Sequence, residues 1–225
     1  MKVLVLRPEP GASETAARAR AAGLDPFVAP LFSITGVAAE AVTPDAYDAI
    51  LLTSANGARF APPGLGAIPC YAVGEATAAA ARAAGFAVVC SGPSDGAAAV
   101  ALMARNGVQG ALHLCGRDHL TLSHPDIRLD RLVVYASEAL PAPPLAGPAV
   151  ALVHSPRAGA RLAQLAQDKG TILIAAISDA AACAAGEGWR LKAVAKAPRD
   201  AALLELAAAL CKYASETARE AQDGV

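Results

Sequence analysis

The chain has 225 residues, 55% hydrophobic but only 4% aromatic, so its apolar content is mostly Ala, Val and Leu, enough for one large domain or two of roughly 100 residues. A formal charge of −1 with scattered Lys and Arg excludes the basic stripe of a nucleic-acid binder. Five cysteines at 70, 90, 115, 183 and 211, with no C-x-x-C pair, exclude a disulfide framework and a cysteine metal site.

The opening MKVLVLRPEP predicts a strand over 3–6 that ends at Arg7-Pro8. Four apolar residues are too few for a signal h-region or a membrane span, so the expected location is cytoplasmic. A helical pattern at 14–22 and a strand at 27–31 follow, then a crossing at 33–38. The strand predicted at 49–52 closes in Thr53-Ser54-Ala55-Asn56 and runs into a helix beginning Gly57-Ala58-Arg59. Next come a strand at 70–73, the turn Gly74-Glu75-Ala76-Thr77, a helix at 75–84, a strand at 87–90 and a helix at 96–105. The strand at 111–115 ends in Gly116-Arg117-Asp118. His113, His119 and His124 are spaced by six and five, which fits no helical face and argues against a metal site.

A strand at 132–135 leads to a second crossing that contains the stiff, Pro-rich segment 140–144. The chain continues with a strand at 149–153, the turn Ser155-Pro156-Arg157, a helix at 158–169, a strand at 172–177 ending at Ser178, a strand at 192–195 and a helix at 201–211. The polar residues 213–225 are expected to form a fraying helix or a disordered tail.

Short apolar runs alternating with helices predict parallel sheets covered on both faces, and ten strands divide five and five. An internal repeat supports this division. Ser54 recurs as Ser155, Gly74 as Ser178 and Gly85 as Gly188, at offsets of 101, 104 and 103 residues. The opening VLVLRPEPG in turn resembles ALHLCGRDH at 111–119, so the halves read as circular permutations of one five-strand unit. The expected layout is a discontinuous domain of residues 1–32 plus 147–225, an inserted domain of residues 39–132, and linkers at 33–38 and 133–146.

In such sheets ligands bind beyond the carboxyl ends of the strands, where helix N-termini present free N–H groups and the positive end of the dipole. Two facing domains would aim several of these turns at one anionic ligand. Singly, Ser54, Thr77 and Ser155 also fit as helix N-caps, contributing about 1 kcal/mol each. No G-x-G-x-x-G follows the first strand, no P-loop is present, and no G-x-S-x-G elbow marks a serine nucleophile.

Five segments together resemble the uroporphyrinogen-III synthase family: VLVLRPEPG, YDAILLTSANGARF, CYAVGEATAAAARAAGF, LDRLVVYASEALP and LVHSPRAGARL. The resemblance spans residues 3 to about 210. It implies two flavodoxin-like parallel-sheet α/β domains joined by a two-strand linker, with substrate between them. It also implies closure of the linear tetrapyrrole hydroxymethylbilane, with loss of water and inversion of ring D, without cofactor or metal. Tyr135 matches the family's candidate proton donor. Arg7, Thr53, Ser54, Asn56, Gly74, Thr77, Gly116, Arg117, Ser155, Arg157 and Ser178 are the implied substrate contacts. Arg7 fits equally as a structural ion pair.

The second G-x-x-T-A turn departs from the pattern, with Ser178 for glycine, Ala181 for threonine and Asp179 beside them; His154 replaces the threonine before Ser155. The alternative function is a non-catalytic binding or sensor protein for an anionic small molecule on the same fold. No large exposed apolar stripe stands out, so a monomer is expected.

Overall fold

The computed structural model describes residues 1–92, 95–141 and 145–223. The chain divides into two compact units, Met1–Ser33 with Ala139–Val225, and Ile34–Glu138.

In the first unit, β1 (Lys2–Val5), β2 (Asp25–Val28), β9 (Ala149–Val153), β10 (Ile172–Ala176) and β11 (Leu191–Val194) form a parallel sheet of order β11-β10-β9-β1-β2. Counted within the unit this is the flavodoxin order 2-1-3-4-5. The central strands are apolar throughout because both of their faces are covered. Val3, Val5, Val150 and Leu152 meet α1 (Gly11–Ala21) and α7 (Asp200–Asp223) on one face. Leu4, Ala151, Val153 and Ile174 meet α5 (Pro156–Leu165) and α6 (Asp179–Ala184) on the other. Alanines on these helices keep them close to the sheet.

The second unit holds β4 (Ala49–Leu52), β5 (Cys70–Ala72), β6 (Val88–Ser91), β7 (Gly110–Gly116) and β8 (Arg128–Ala139) in the order β8-β7-β4-β5-β6, with β3 (Phe32–Gly36) added beside β8. Replacing β9, β10, β11, β1 and β2 by β4, β5, β6, β7 and β8 turns one sheet order into the other, which is a circular permutation at the level of topology. Here α2 (Ala55–Arg59) and α3 (Glu75–Ala83) cover one face, and α4 (Gly96–Arg105) covers the other.

The repeated Gly-Ala-Arg serves close packing, but one residue out of register. Gly57 is the third residue after Ser54, and a Cβ there would stand 2.7 Å from the Leu114 carbonyl oxygen. Gly159 is the fourth after Ser155 and faces the Ala181 carbonyl oxygen, also at 2.7 Å.

The structure corrects several expectations. Sheets of five and six strands replace five and five, because the crossing at 33–38 largely forms the edge strand β3. The helix expected at 158–169 ends at Leu165; Ala166 bridges to Leu145, and a short 3-10 turn follows at Lys169–Thr171. The helix expected at 201–211 runs from Asp200 to Asp223, so the polar residues 213–223 take the helical of the two forms expected for them. Of the Pro-rich segment, 142–144 lie outside the described residues. Among the described residues no helix is long and apolar enough to cross a membrane.

Candidate functional site

A parallel sheet of this order has its crevice where neighbouring strands connect in opposite directions. In the second unit that point lies between the ends of β7 and β4, where the chain supplies Gly116 and Thr53. A cavity of about 370 Å³ opens there, lined by Thr53, Ser54, His113, Gly116, His119 and Tyr135, among others. Asp95 also lines it, and its carboxylate caps α4 by accepting from Ala98 N at 2.8 Å.

Tyr135 reaches this cavity through a β-bulge. Cys115 pairs with Val133, but Gly116 pairs with Tyr135, so Val134 is the extra residue. Without the bulge, Tyr135 would face away from Val134; with it, Leu132, Val134 and Tyr135 all pack against one core cluster. The phenol lies over Gly116, where a Cβ would meet Cε2 at 2.6 Å and Cζ at 2.7 Å. Gly116 is therefore a point of close approach to the tyrosine ring. The expected strand end at 135 is corrected, since β8 runs on to Ala139. Phe60 stands beside the ring at a centroid distance of 6.4 Å, and Arg117 N donates to the Tyr135 carbonyl at 2.9 Å.

His113 is a functional candidate that sequence reading missed. It is 1% exposed, and its Nε2 lies 2.9 Å from Thr53 Oγ1. Register explains the meeting. His113 is opposite Leu51, and Thr53 is two residues further along the same face, which makes a diagonal cross-strand pair. Burial, reinforced by His119 and Arg131, pushes the His113 pKa down to about 4, so the ring is neutral at pH 7. Its Nδ1 is buried without a hydrogen-bond partner. The His119 ring meets it edge-on, 6.2 Å between centroids, and His119 Nδ1 is held by the Gly116 carbonyl at 2.8 Å.

The remaining turns of this unit are ordered by their own contacts. Ser54 Oγ caps α2 by accepting from Asn56 N, while Asn56 Oδ1 accepts from Arg59 at 2.9 Å. Gly74 precedes α3 with φ 76°, a left-handed conformation that glycine adopts readily, and Thr77 is buried in the first turn. Arg117 forms an exposed ion pair with Glu138 at 3.7 Å.

The equivalent crevice of the first unit, between the ends of β1 and β9, is occupied by the protein's own charges. Asp200 accepts from Thr15 Oγ1 at 2.9 Å, from Arg18 Nε at 2.7 Å and from His154 Nε2 at 2.8 Å, with Arg7 at 3.7 Å. Burial alone would raise its pKa, but the bonds from His154, Arg18 and Thr15 outweigh that and hold it well below the usual carboxylate range. Arg7 is thus ion-paired, and its guanidinium lies against Gly11. Ser155 and Ser178 cap α5 and α6 by accepting from Ala158 N and Ala181 N. Arg157 stacks on Phe32 at 4.6 Å.

Of the residues singled out from sequence, Thr53, Ser54, Gly116 and Tyr135 share one cavity. Arg7 belongs to a different cluster, Asn56 and Arg117 follow on the same turns without lining the cavity, and Gly74 with Thr77, Ser155 with Arg157, and Ser178 occupy three other turns. Asp200 and Thr15 gave no signal in the sequence, because they meet across 185 residues.

Two permuted copies of one flavodoxin-like sheet, one with an open hydroxyl- and imidazole-lined crevice and neither with a nucleotide loop, define a tandem α/β protein of the small-molecule-binding kind. Residues 13–205 match the family described as uroporphyrinogen-III synthase HemD. The chain belongs to the uroporphyrinogen-III synthase family, and with it to the cyclising lyases of tetrapyrrole biosynthesis. Its fold is similar to that of the uroporphyrinogen-III synthetase of Helicobacter pylori, with a TM-score of 0.65 and 18% identity over 93% of this chain and 98% of that one. A mutant uroporphyrinogen III synthase from Thermus thermophilus aligns with a TM-score of 0.48 and 15% identity over 91% and 96% of the two chains. No curated protein matches the sequence.

Proposed function

We propose that the chain closes hydroxymethylbilane to uroporphyrinogen III with Tyr135 as the proton donor to the departing hydroxyl group. The phenol proton passes to the hydroxymethyl oxygen, the C–O bond breaks, water leaves, and the pyrrole nitrogen lone pair stabilises the resulting azafulvene. The substituted carbon of ring D then attacks the electrophilic methylene of ring A to give a spiro intermediate. That carbon's older bond to the methylene of ring C breaks, ring D turns over, and its unsubstituted carbon closes on that methylene. The proton lost from the unsubstituted carbon restores the pyrrole and balances the one given by Tyr135. Folding the chain for that attack is the larger part of the task, because unassisted closure gives the uninverted isomer.

The observation that carries this reading is the bulge that sets the Tyr135 phenol over Gly116, in a cavity shared with the Thr53 and Ser54 hydroxyls. Those hydroxyls, with Asn56, Gly74, Thr77 and Arg117, act as carboxylate contacts from one domain. Ser155, Arg157 and Ser178 act from the other, where Arg7 serves the Asp200 cluster instead. A serine that caps a helix through its lone pair still has its own proton to donate to an anion. The domains in this reading are residues 1–32 with 147–225 and residues 39–132, joined by 33–38 and 133–146. The protein works as a cytoplasmic monomer without metal, cofactor or nucleic acid.

The test supplies hydroxymethylbilane to purified wild-type and Tyr135→Phe protein and separates the product isomers. The wild type gives isomer III. The variant keeps its fold and forms isomer III up to roughly 10²-fold more slowly, the low end for general acid catalysis, because the electron-rich ring expels hydroxide with little help. Undiminished activity would remove Tyr135 from the role. Isomer I from the wild type would mark a binding protein instead.

A further inference from the structure

We propose that His113 is a positioning residue: by donating its Nε2–H to Thr53 Oγ1, it commits the Thr53 hydroxyl to donate its own proton into the cavity, toward a carboxylate of the bound ligand. The proposal rests on the reading of Thr53 as a carboxylate contact and adds how that contact acquires its polarity.

A threonine hydroxyl both donates and accepts, so its direction must be set by a neighbour. Thr53 Oγ1 meets His113 Nε2 at 2.9 Å, and two arrangements of the proton satisfy this hydrogen bond. With the proton on Nδ1, that N–H would be buried with no acceptor, since Nδ1 has no partner. Orphaned buried N–H groups are rare and costly. With the proton on Nε2, the ring donates to Thr53, and Nδ1 keeps only an unpaired lone pair. The second arrangement is therefore the stable one.

The setting reinforces this polarity. His113 is held in the middle of β7 between β4 and β8, opposite Leu51 and Arg131, so it cannot turn to water. The Thr53 methyl faces Gly96, 3.4 Å from where a Cβ would stand there, which fixes the remaining substituent of the side chain. The ring is kept neutral by burial and by its neighbours His119 and Arg131. A neutral Nε2–H donor makes Thr53 Oγ1 an acceptor on one side and leaves its proton for the lumen.

The test has a spectroscopic and a kinetic arm. In histidine-labelled wild-type protein at pH 7, long-range proton–nitrogen correlation spectra show His113 with a protonated Nε2 and a bare Nδ1; a protonated Nδ1 overturns the proposal. In the kinetic arm, Thr53→Val raises KM for hydroxymethylbilane about tenfold, the scale of one hydrogen bond to a charged group. His113→Met raises KM by a similar factor, with kcat within about twofold, and the double variant adds nothing further. His113→Gln, whose amide N–H stands near the position of Nε2, restores most of the affinity, as does Thr53→Ser. If Thr53→Val leaves KM unchanged, the carboxylate-contact reading fails and takes the proposal with it. If Thr53→Val raises KM and His113→Met does not, that reading stands and the positioning role is overturned.

Discussion

The Tyr135 ring lies over the Cα of Gly116, so close that no side chain fits between them: a Cβ at 116 would stand 2.6 Å from Cε2 and 3.0 Å from the phenol oxygen. The lining of the cavity thus depends on a glycine one strand away. Gly116→Ala is expected to displace the ring and to cost about 1–3 kcal/mol through overpacking. Urea unfolding checks the stability, and the rate of isomer III formation checks the displacement. An alanine variant with normal stability and normal rate would show that the ring is free to move.

His113 makes stability depend on pH in mildly acidic solution. Its folded pKa, about 4, is below the ordinary histidine value of 6.5, so only the unfolded chain takes up a proton as pH falls between them. Stability is therefore full above about 6.5, declines as pH falls to about 4, and levels off below. The loss attributable to this residue is of order 3 kcal/mol. Chemical denaturation between pH 7 and pH 4 should show this slope in the wild type and a flatter curve in His113→Gln.

Asp200 acts in a lower window. Its folded pKa is depressed, so its stabilising effect is present above the ordinary value of 3.8 and is lost as pH falls below it. Asp200→Asn leaves Arg7 and Arg18 facing one another without a counter-charge and takes the carboxylate from the Thr15 and His154 donors, and is expected to destabilise by about 3 kcal/mol at pH 7. Below pH 4 the gap between variant and wild type should narrow. A constant gap across that range would mean that the carboxylate charge is not what holds the cluster.

The cysteines should differ sharply in reactivity. Cys183 is exposed, whereas Cys70 is fully buried and burial pushes its thiol up to about 12. Brief alkylation of the native protein followed by mass spectrometry is expected to label Cys183 and to spare Cys70 until denaturant is added. Early labelling of Cys70 would indicate local opening of β5.

Most strands were legible because a doubly covered parallel strand must be apolar along its length, as Ala-Ile-Leu-Leu at 49–52 and Ala-Val-Ala-Leu-Val at 149–153 are. β3 was not, since Phe32-Ser-Ile-Thr-Gly36 lies at a sheet edge and is only partly buried. Thr53, Ser54, Gly116 and Tyr135 were found through motifs, yet the bulge that gathers them leaves no trace in composition or spacing. His113 is a lone polar residue in an apolar run, and its meaning needs the β4–β7 register that sets it diagonal to Thr53. Asp200 stands just before the helix expected at 201–211, and nothing local announces that Thr15, Arg18 and His154 converge on it.

The interrupted order of the first sheet has a consequence for how the chain assembles. β1 must find β9, with Lys2 opposite Ala149, and every strand of the second sheet is encoded between them. Until β9 is made, β1 and β2 are a two-strand ribbon with little to hold it. Within the intervening segment, however, β3 and β8 lie side by side, and just outside them Leu140 N bonds to the Leu31 carbonyl at 2.9 Å. Once the inserted sheet is formed, the long loop between β2 and β9 is already tied at its neck, and much of the entropy of closing it has been spent. The second unit thus serves the first as a scaffold during biogenesis, and damage to its core would be felt as failure of a sheet to which it contributes no strand.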